Sequence, residues 1–384
     1  MIYLDHAATA HHRPPAVRDA MVRFLDRTAA NPGRSGHRLS VEAAEIVYDA
    51  REAVAELFHV SDPLRVVFGL NGTEAINLAL MGILEPGDHV ITSSMEHNAV
   101  MRPLRALERR GIAVTVTECT VEGFLDPAEV EAAFRPGTKM VVLNHASNVV
   151  GTVLPVAEVG RVARERDALM LVDTAQTAGA WPIDVEAENI DLLAFTGHKS
   201  LLGPMGTGGL VLGERVDAAA IRPLKYGGTG SRSEHHVQPE FLPDRLESGT
   251  ANAVGLAGLA AAVRWLLDRG VASVREHETA LTARLLDGLS AVSGVTIHGG
   301  RDATRQTATV SFSLEGQSPS EVGFQLDEGH DVMCRVGLHC APSAHRTIGT
   351  LPEGTVRFGI GAFTTAEEID AALAAVREIA GGAP

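Results

Sequence analysis

Leu169-Met170-Leu171-Val172-Asp173-Thr174-Ala175-Gln176, followed after one more apolar run by Thr196-Gly197-His198-Lys199, is the stretch on which the reading of this chain turns. Leu169 to Asp173 is an apolar run of strand length that ends in an acid, and Ile190 to Phe195 is a second that leads into a lysine set among small residues. Buried strands that deliver polar groups at their carboxyl ends are the pattern of an open α/β sheet, whose ligands sit at that edge.

Working outward, Val66 to Phe68, His89 to Thr92, Ala113 to Thr117, Met140 to Asn144 and Gly208 to Leu212 read as further strands. They alternate with amphipathic stretches from about residue 40 to residue 260, which predicts an α/β fold with helices wrapped on a mainly parallel seven-stranded sheet. Glu96-His97, Ser147-Asn148, Asp173 and His198-Lys199 all fall at its carboxyl edge. Beyond Asn252 come helices over Val254 to Arg269 and Val271 to Leu289. Short strands follow at Val295 to His298, Thr309 to Phe312, Val332 to Val336 and Val356 to Gly359. A last helix, Thr365 to Ile379, opens on the capping-box sequence Thr364-Thr365-Ala366-Glu367-Glu368. The expected division is a large domain over residues 16–262 and a small α+β domain built from 1–15 and 263–384.

Composition narrows the function classes. With 384 residues, 45% of them hydrophobic, the chain is long enough for one large core and a smaller one. A formal net charge of -15 with scattered Lys and Arg argues against a nucleic-acid surface. The amino terminus has no charged stretch leading into an apolar one, and no window approaches the ~18 apolar residues of a spanning helix. A soluble, cytoplasmic protein without a membrane partner is expected. Cys119, Cys334 and Cys340 are too few and too widely spaced for a disulfide framework or a metal site.

An acid one strand before a lysine meets two demands of pyridoxal phosphate (PLP) chemistry, in which the acid keeps the pyridine nitrogen protonated and the lysine holds the aldehyde as an imine. Asp173 alone is equally a cap after a strand. Asn71-Gly72-Thr73-Glu74-Ala75 follows a strand and opens a helix, so its N–H groups and the Thr73 hydroxyl suit a phosphate; it is also an ordinary turn with Thr73 as cap. Gly203-Pro204-Met205-Gly206-Thr207-Gly208-Gly209 lacks the lysine of a nucleotide-binding loop and reads as a tight turn beside Lys199. Arg357 suits a carboxylate, although its neighbours Val356 and Phe358 leave its face undecided. Gly337 and Pro342 bracket Cys340 in a loop, which favours a chemical role over that of an inert buried cysteine. Cys119 and Cys334 sit after and within strand-like runs and read as structural.

Tyr3-Leu4-Asp5-His6-Ala7-Ala8-Thr9, Asn71-Gly72-Thr73-Glu74-Ala75, Glu96-His97, Ser147-Asn148-Val149-Val150-Gly151-Thr152, Val172-Asp173-Thr174-Ala175-Gln176, Thr196-Gly197-His198-Lys199, Glu247-Ser248-Gly249-Thr250 and Gly337-Leu338-His339-Cys340-Ala341-Pro342 occur in that order. Together they resemble the class V aminotransferase-fold cysteine desulfurases, most closely the branch with a short catalytic loop that includes selenocysteine lyases. The resemblance implies a PLP enzyme of aspartate-aminotransferase-like fold type I, acting on L-cysteine or a related amino acid. Lys199 would hold the cofactor and move the α-proton, Asp173 would pair with the pyridinium, Gln176 would meet the phenolic oxygen and His97 would stack on the ring. Gly72, Thr73, Thr196 and His198 would bind the phosphate, with Thr250 reaching in from the second subunit of a homodimer. Asn148 and Arg357 would hold the substrate carboxylate, Arg335 would support the pocket, and Cys340 would take the sulfur as a persulfide, with proton transfer from neighbouring His339 or, since adjacent residues in an extended segment face opposite ways, from another group.

A sulfur-acceptor protein or small thiol is the implied partner, and iron–sulfur cluster or cofactor assembly the implied destination. Selenocysteine or an S-substituted cysteine is the alternative substrate, and transamination or epimerisation on the same fold a more distant one. His6 stands where asparagine is common in the desulfurases, with His11 and His12 close by, and Val336 replaces a threonine. The Gly227 to Glu234 insert, leading to His235 and His236, reads as a dimer-contact loop or a substrate-selecting element.

Overall fold

The computed structural model describes residues 1–33 and 35–381. It opens on a two-residue strand, β1 (Ile2–Tyr3), and then builds its main sheet. The strands of that sheet are β2 (Val66–Gly69), β3 (His89–Ser93), β4 (Ala113–Thr117), β5 (Thr138–Asn144), β6 (Leu169–Asp173), β7 (Leu192–Thr196) and β8 (Gly208–Leu212). They lie in the order β2-β8-β7-β6-β5-β3-β4, and β8 runs antiparallel to both neighbours while the remaining pairs are parallel.

A parallel sheet buried on both faces needs apolar residues at successive positions, and β7 shows why the sequence runs as it does. Leu193 and Phe195 face one apolar cluster while Leu192 and Ala194 face another. Helices close both faces. In chain order they are α1 (Pro15–Arg23), α2 (Arg38–Leu57), α3 (Gly72–Ile83), α4 (Asn98–Glu108), α5 (Pro127–Ala132), α6 (Val156–Glu165) and α7 (Ala253–Arg269). Between β8 and α7, residues 227–236 form neither helix nor strand and are mostly exposed.

The second half adds α8 (Val271–Ser290), β9 (Val295–His298), β10 (Thr309–Leu314) and α9 (Pro319–Phe324). It continues with β11 (Val332–Met333), β12 (Arg335–Gly337), α10 (Pro342–Thr347), β13 (Thr355–Gly359) and α11 (Ala366–Gly381). Thr365 and Glu368 form the expected capping box in front of α11, with reciprocal contacts of 2.8 and 3.2 Å. The run expected as one strand from Val332 to Val336 is divided. Val332 and Met333 pair with Ile2 and Tyr3, whereas Arg335 to Gly337 joins an antiparallel sheet of order β12-β13-β10-β9. Apolar patterning marks a strand without naming its partner, so the break at Cys334 carries no sequence signal.

In the small sheet, Val310, Phe312, Val356 and Phe358 enter its own apolar cluster. The intervening Thr309, Ser311, Thr355 and Arg357 occupy the opposite face and are buried as well. The Asp5–Gly359 bridge ties the beginning of the chain to this sheet. No helix among the described residues is long and apolar enough to cross a membrane.

Candidate active site

The carboxyl ends of the parallel strands open into a cleft lined by Gly72, Thr73, His97, Asn148, Asp173, Gln176, Thr196, His198 and Lys199. Each arrives by a short route. Asn71, rather than Thr73, caps α3 by accepting from the Glu74 N–H at 2.9 Å. Thr73 is therefore left in the first turn beside N–H groups that have no intrahelical partner. His97 caps α4, its Nδ1 accepting from the Ala99 N–H at 3.0 Å, so the ring is oriented by the helix it opens. Burial lowers its pKa to about 4, with the Lys199 charge adding to the effect.

Asp173 ends β6 and Lys199 follows β7 after three residues. Burial raises the Asp173 pKa, opposed by the hydrogen bond from the Ala175 N–H at 2.9 Å and by the charge of Lys199. Burial lowers the Lys199 pKa to about 8 against the pull of Asp173, so its amine gives up a proton more readily than an ordinary lysine's. The turn after it is fixed by Leu202 N–H to Lys199 O at 2.8 Å and Gly203 N–H to Gly197 O at 2.7 Å. His198 shares a 3.1 Å contact with Thr9 Oγ1, and burial lowers its pKa to about 4. Thr196 Oγ1 is buried without a hydrogen-bond partner among the described residues. Gln176 donates from Nε2 to Ala7 O at 3.0 Å, which anchors the amino-terminal segment to the cleft.

From the small sheet, Arg335 and Arg357 stand opposite each other in register. Arg357 is 1% exposed; its Nη2 donates to Asp5 Oδ1 at 2.8 Å and its Nη1 to Asn148 O at 2.9 Å. Burial lowers its pKa, and the Asp5 carboxylate opposes that shift. Asn148 itself donates from Nδ2 to His339 O at 2.6 Å. The loop bearing Cys340 is thus held from the large sheet, and a second tie runs from the Asn98 N–H to Cys340 O at 2.9 Å, one residue from His97.

Cys340 is exposed, and Arg335 Nη2 donates to its Sγ at 3.6 Å. Cys119 and Cys334 are partly buried, and burial raises their pKa values to about 11 and about 12, which suppresses thiolate chemistry there. The Nε2 of His339 contacts Thr355 Oγ1 at 3.0 Å, and burial lowers the pKa of the ring to about 2. His339 and Cys340 both have left-handed φ values, 48° and 60°, and the imidazole turns toward Thr355.

Thr250 lies outside the cleft of its own protomer and lines a separate recess with Lys225 and Ser248. Its segment is anchored by Glu247, which pairs with Arg51 at 2.5 Å and accepts from the Phe68 N–H at 2.6 Å. His6 is absent from the cleft lining; it packs edge-on to Tyr3 with centroids 5.0 Å apart.

Two groups at the site were not singled out from the sequence for a role of their own. Glu96 is fully buried, accepts from Ser93 Oγ at 2.6 Å and from the Asn144 N–H at 2.9 Å, and ties the end of β3 to that of β5. Burial raises its pKa to about 8. Asp5 orients Arg357. Both stand inside the motifs quoted above, and a strand-end acid beside a histidine or an arginine-bearing strand was the available signal.

The family model described as Aminotransferase class-V matches residues 2–372. A probable cysteine desulfurase of Methanothermobacter thermautotrophicus is 35% identical over 384 residues, covering 99% of this chain and 95% of that protein. Cysteine desulfurase IscS of Vibrio campbellii is 34% identical over 393 residues, covering 98% and 92%. The apo structure of cysteine desulfurase from Thermococcus onnurineus NA1 superposes with a TM-score of 0.93 at 31% identity, covering 100% of this chain and 95% of that one. Motif order, strand topology and full-length similarity converge, and the chain belongs to the class V aminotransferase family, among its cysteine desulfurases.

Proposed function

We propose that this chain is a PLP-dependent cysteine desulfurase that converts L-cysteine to L-alanine and takes the sulfur as a persulfide on Cys340. The observation that carries the reading is the exposed Cys340 Sγ beside Arg335, on a loop pinned next to a cleft that contains buried Lys199 and Asp173. The residues present fit the cofactor. Thr196 offers a buried hydroxyl in need of a partner, the first turn of α3 supplies N–H donors for a phosphate, and Asp173 is placed to hold a protonated ring nitrogen.

Bound PLP supplies an electron sink that loosens bonds around the substrate α-carbon. The chain does the rest. Lys199 holds the cofactor and moves the α-proton, and its lowered pKa suits both acid and base duty. Asn148 and Arg357 orient the substrate carboxylate, with Asp5 fixing the guanidinium. His97 would pack on the cofactor ring, while Gly72, Thr73 and His198 would complete the phosphate site and Gln176 would meet the phenolic oxygen. Cys340 Sγ attacks the substrate sulfur: an S–S bond forms, the Cβ–S bond breaks, and Cβ gains a proton. Sulfur is oxidised as carbon is reduced, so no outside oxidant or reductant is needed.

The proposed assembly is a cytoplasmic homodimer in which Thr250 of each subunit completes the phosphate site of the other, with residues 227–236 at the contact. The division into residues 16–262 and 1–15 with 263–384 belongs to the same reading, supported by the separation of the seven-stranded sheet from the four-stranded one. Because the loop carrying Cys340 leads directly into α10, the persulfide stays near the cleft, and a dedicated acceptor protein or small thiol collects it, for example for iron–sulfur cluster assembly. Mass spectrometry of alkylated peptides after L-cysteine treatment tests the assignment: the additional sulfur is expected on the Cys340 peptide. Alanine production with that peptide unmodified would reject it.

A further inference from the structure

Behind the catalytic loop, the polar face of the small sheet carries a line of hydroxyls that the proposed chemistry does not use. Ser311 Oγ donates to Val149 O at 2.6 Å, Thr355 Oγ1 donates to Ser311 Oγ at 3.0 Å, and His339 Nε2 meets Thr355 Oγ1 at 3.0 Å. A carbonyl can only accept, so the direction of the whole line is set at its far end. Ser311 spends its proton on Val149, Thr355 spends its own on Ser311, and His339 must donate from Nε2. Its Nδ1 is correspondingly bare, buried and without a partner among the described residues. A protonated imidazole would place a second N–H where nothing receives it.

The anchored histidine sits at a strained point. His339 and Cys340 have φ values of 48° and 60°, two consecutive left-handed residues without glycine's freedom. Such a conformation persists where its surroundings over-determine it. Here the Asn148 amide holds the His339 carbonyl, the Asn98 N–H holds the Cys340 carbonyl, and the hydroxyl line holds the His339 ring. The ring also packs on His345, with centroids 5.4 Å apart.

We propose that Thr355 is a positioning residue for the sulfur-accepting cysteine: through His339 it locks the left-handed pair that presents Cys340 Sγ beside Arg335. The proposal rests on the reading of Cys340 as the sulfur acceptor, so its test includes a readout that does not depend on catalysis. Thr355→Val keeps the shape and removes the hydroxyl, whereas Thr355→Ser keeps the hydroxyl.

In the PLP-loaded enzyme, Thr355→Val is expected to lower kcat for alanine formation by about 10-fold or more, as a misplaced reacting atom does, with KM for L-cysteine changed by less than about twofold. Its PLP absorbance is expected to match the parent. Amide hydrogen exchange is expected to speed up in the peptide spanning residues 337–341 and to stay unchanged across the main sheet, and Thr355→Ser is expected to restore both readouts. Parent-like kcat and loop exchange in Thr355→Val would overturn the proposal. So would a general loss of PLP and of protection across the main sheet in both variants, which would assign the threonine to the fold instead. Should the parent itself make no alanine from cysteine, the desulfurase reading fails separately, and loop exchange still decides the role of Thr355.

Discussion

At the scale of single residues, the site is dominated by burial acting on ionisable groups. Lys199 lies in the interior, and its pKa of about 8 reflects desolvation only partly offset by Asp173. Below that value the amine is protonated and cannot attack an aldehyde; above it the free amine prevails. Recombination of the cofactor-free chain with PLP is therefore expected to accelerate as pH rises to about 8 and then level off. An ordinary lysine would keep gaining up to about 10.4. Stopped-flow absorbance over a pH series checks this, and a rate still climbing steeply above about pH 9 would show that Lys199 is not desolvated.

Among the elements, the strand ends and the turns after them hold the chemistry. Gly179 shows how tightly the segment after Lys199 is packed: its φ is +89°, and a Cβ there would lie 2.5 Å from Ser200 O. Gly179→Ala is expected to cost about 2 kcal/mol or more, since strain and overlap act together, and to weaken PLP retention. A urea midpoint equal to the parent's would refute the close approach. The seven strands of the main sheet were legible as short apolar runs, several of them, such as Leu169–Asp173, ending in a polar group. The small sheet was less so. Val332 to Val336 reads as one strand and serves two sheets, and a pattern of side chains cannot tell which neighbour takes the backbone hydrogen bonds. The sequence left the face of Arg357 undecided, and the structure buries it together with Thr309, Ser311 and Thr355. That face packs beneath the Ser147–Thr152 turn, with Asp5 and His339 also in contact with it. Gly72, Thr73, His97, Asn148, Asp173, Gln176, Thr196, His198 and Lys199 share one cleft for the same topological reason, whereas Thr250 lies outside it and Arg335, Cys340 and Arg357 come from the small sheet and its loop. The left-handed backbone that turns the His339 ring toward Thr355 has no mark in the sequence.

For the whole molecule, Thr250 decides what assembly the chemistry needs. It lies outside the Lys199 cleft of its own protomer, so a role at the phosphate requires a second copy. Mixing Lys199→Ala chains with Thr250→Val chains tests this. In a mixed dimer one site would combine an intact Lys199 with an intact Thr250 from the other chain. Activity well above that of either parent variant is expected after subunit exchange, and none would be regained if Thr250 acted within its own chain. The most direct measurement is quantification of alanine formed from L-cysteine by the PLP-loaded protein and by Cys340→Ser. Stoichiometric or greater alanine from the parent, falling at least about 100-fold in Cys340→Ser with the PLP absorbance intact, is expected of a reaction that needs this nucleophile. Equal alanine from both proteins, or none from the parent, would contradict a desulfurase working through Cys340.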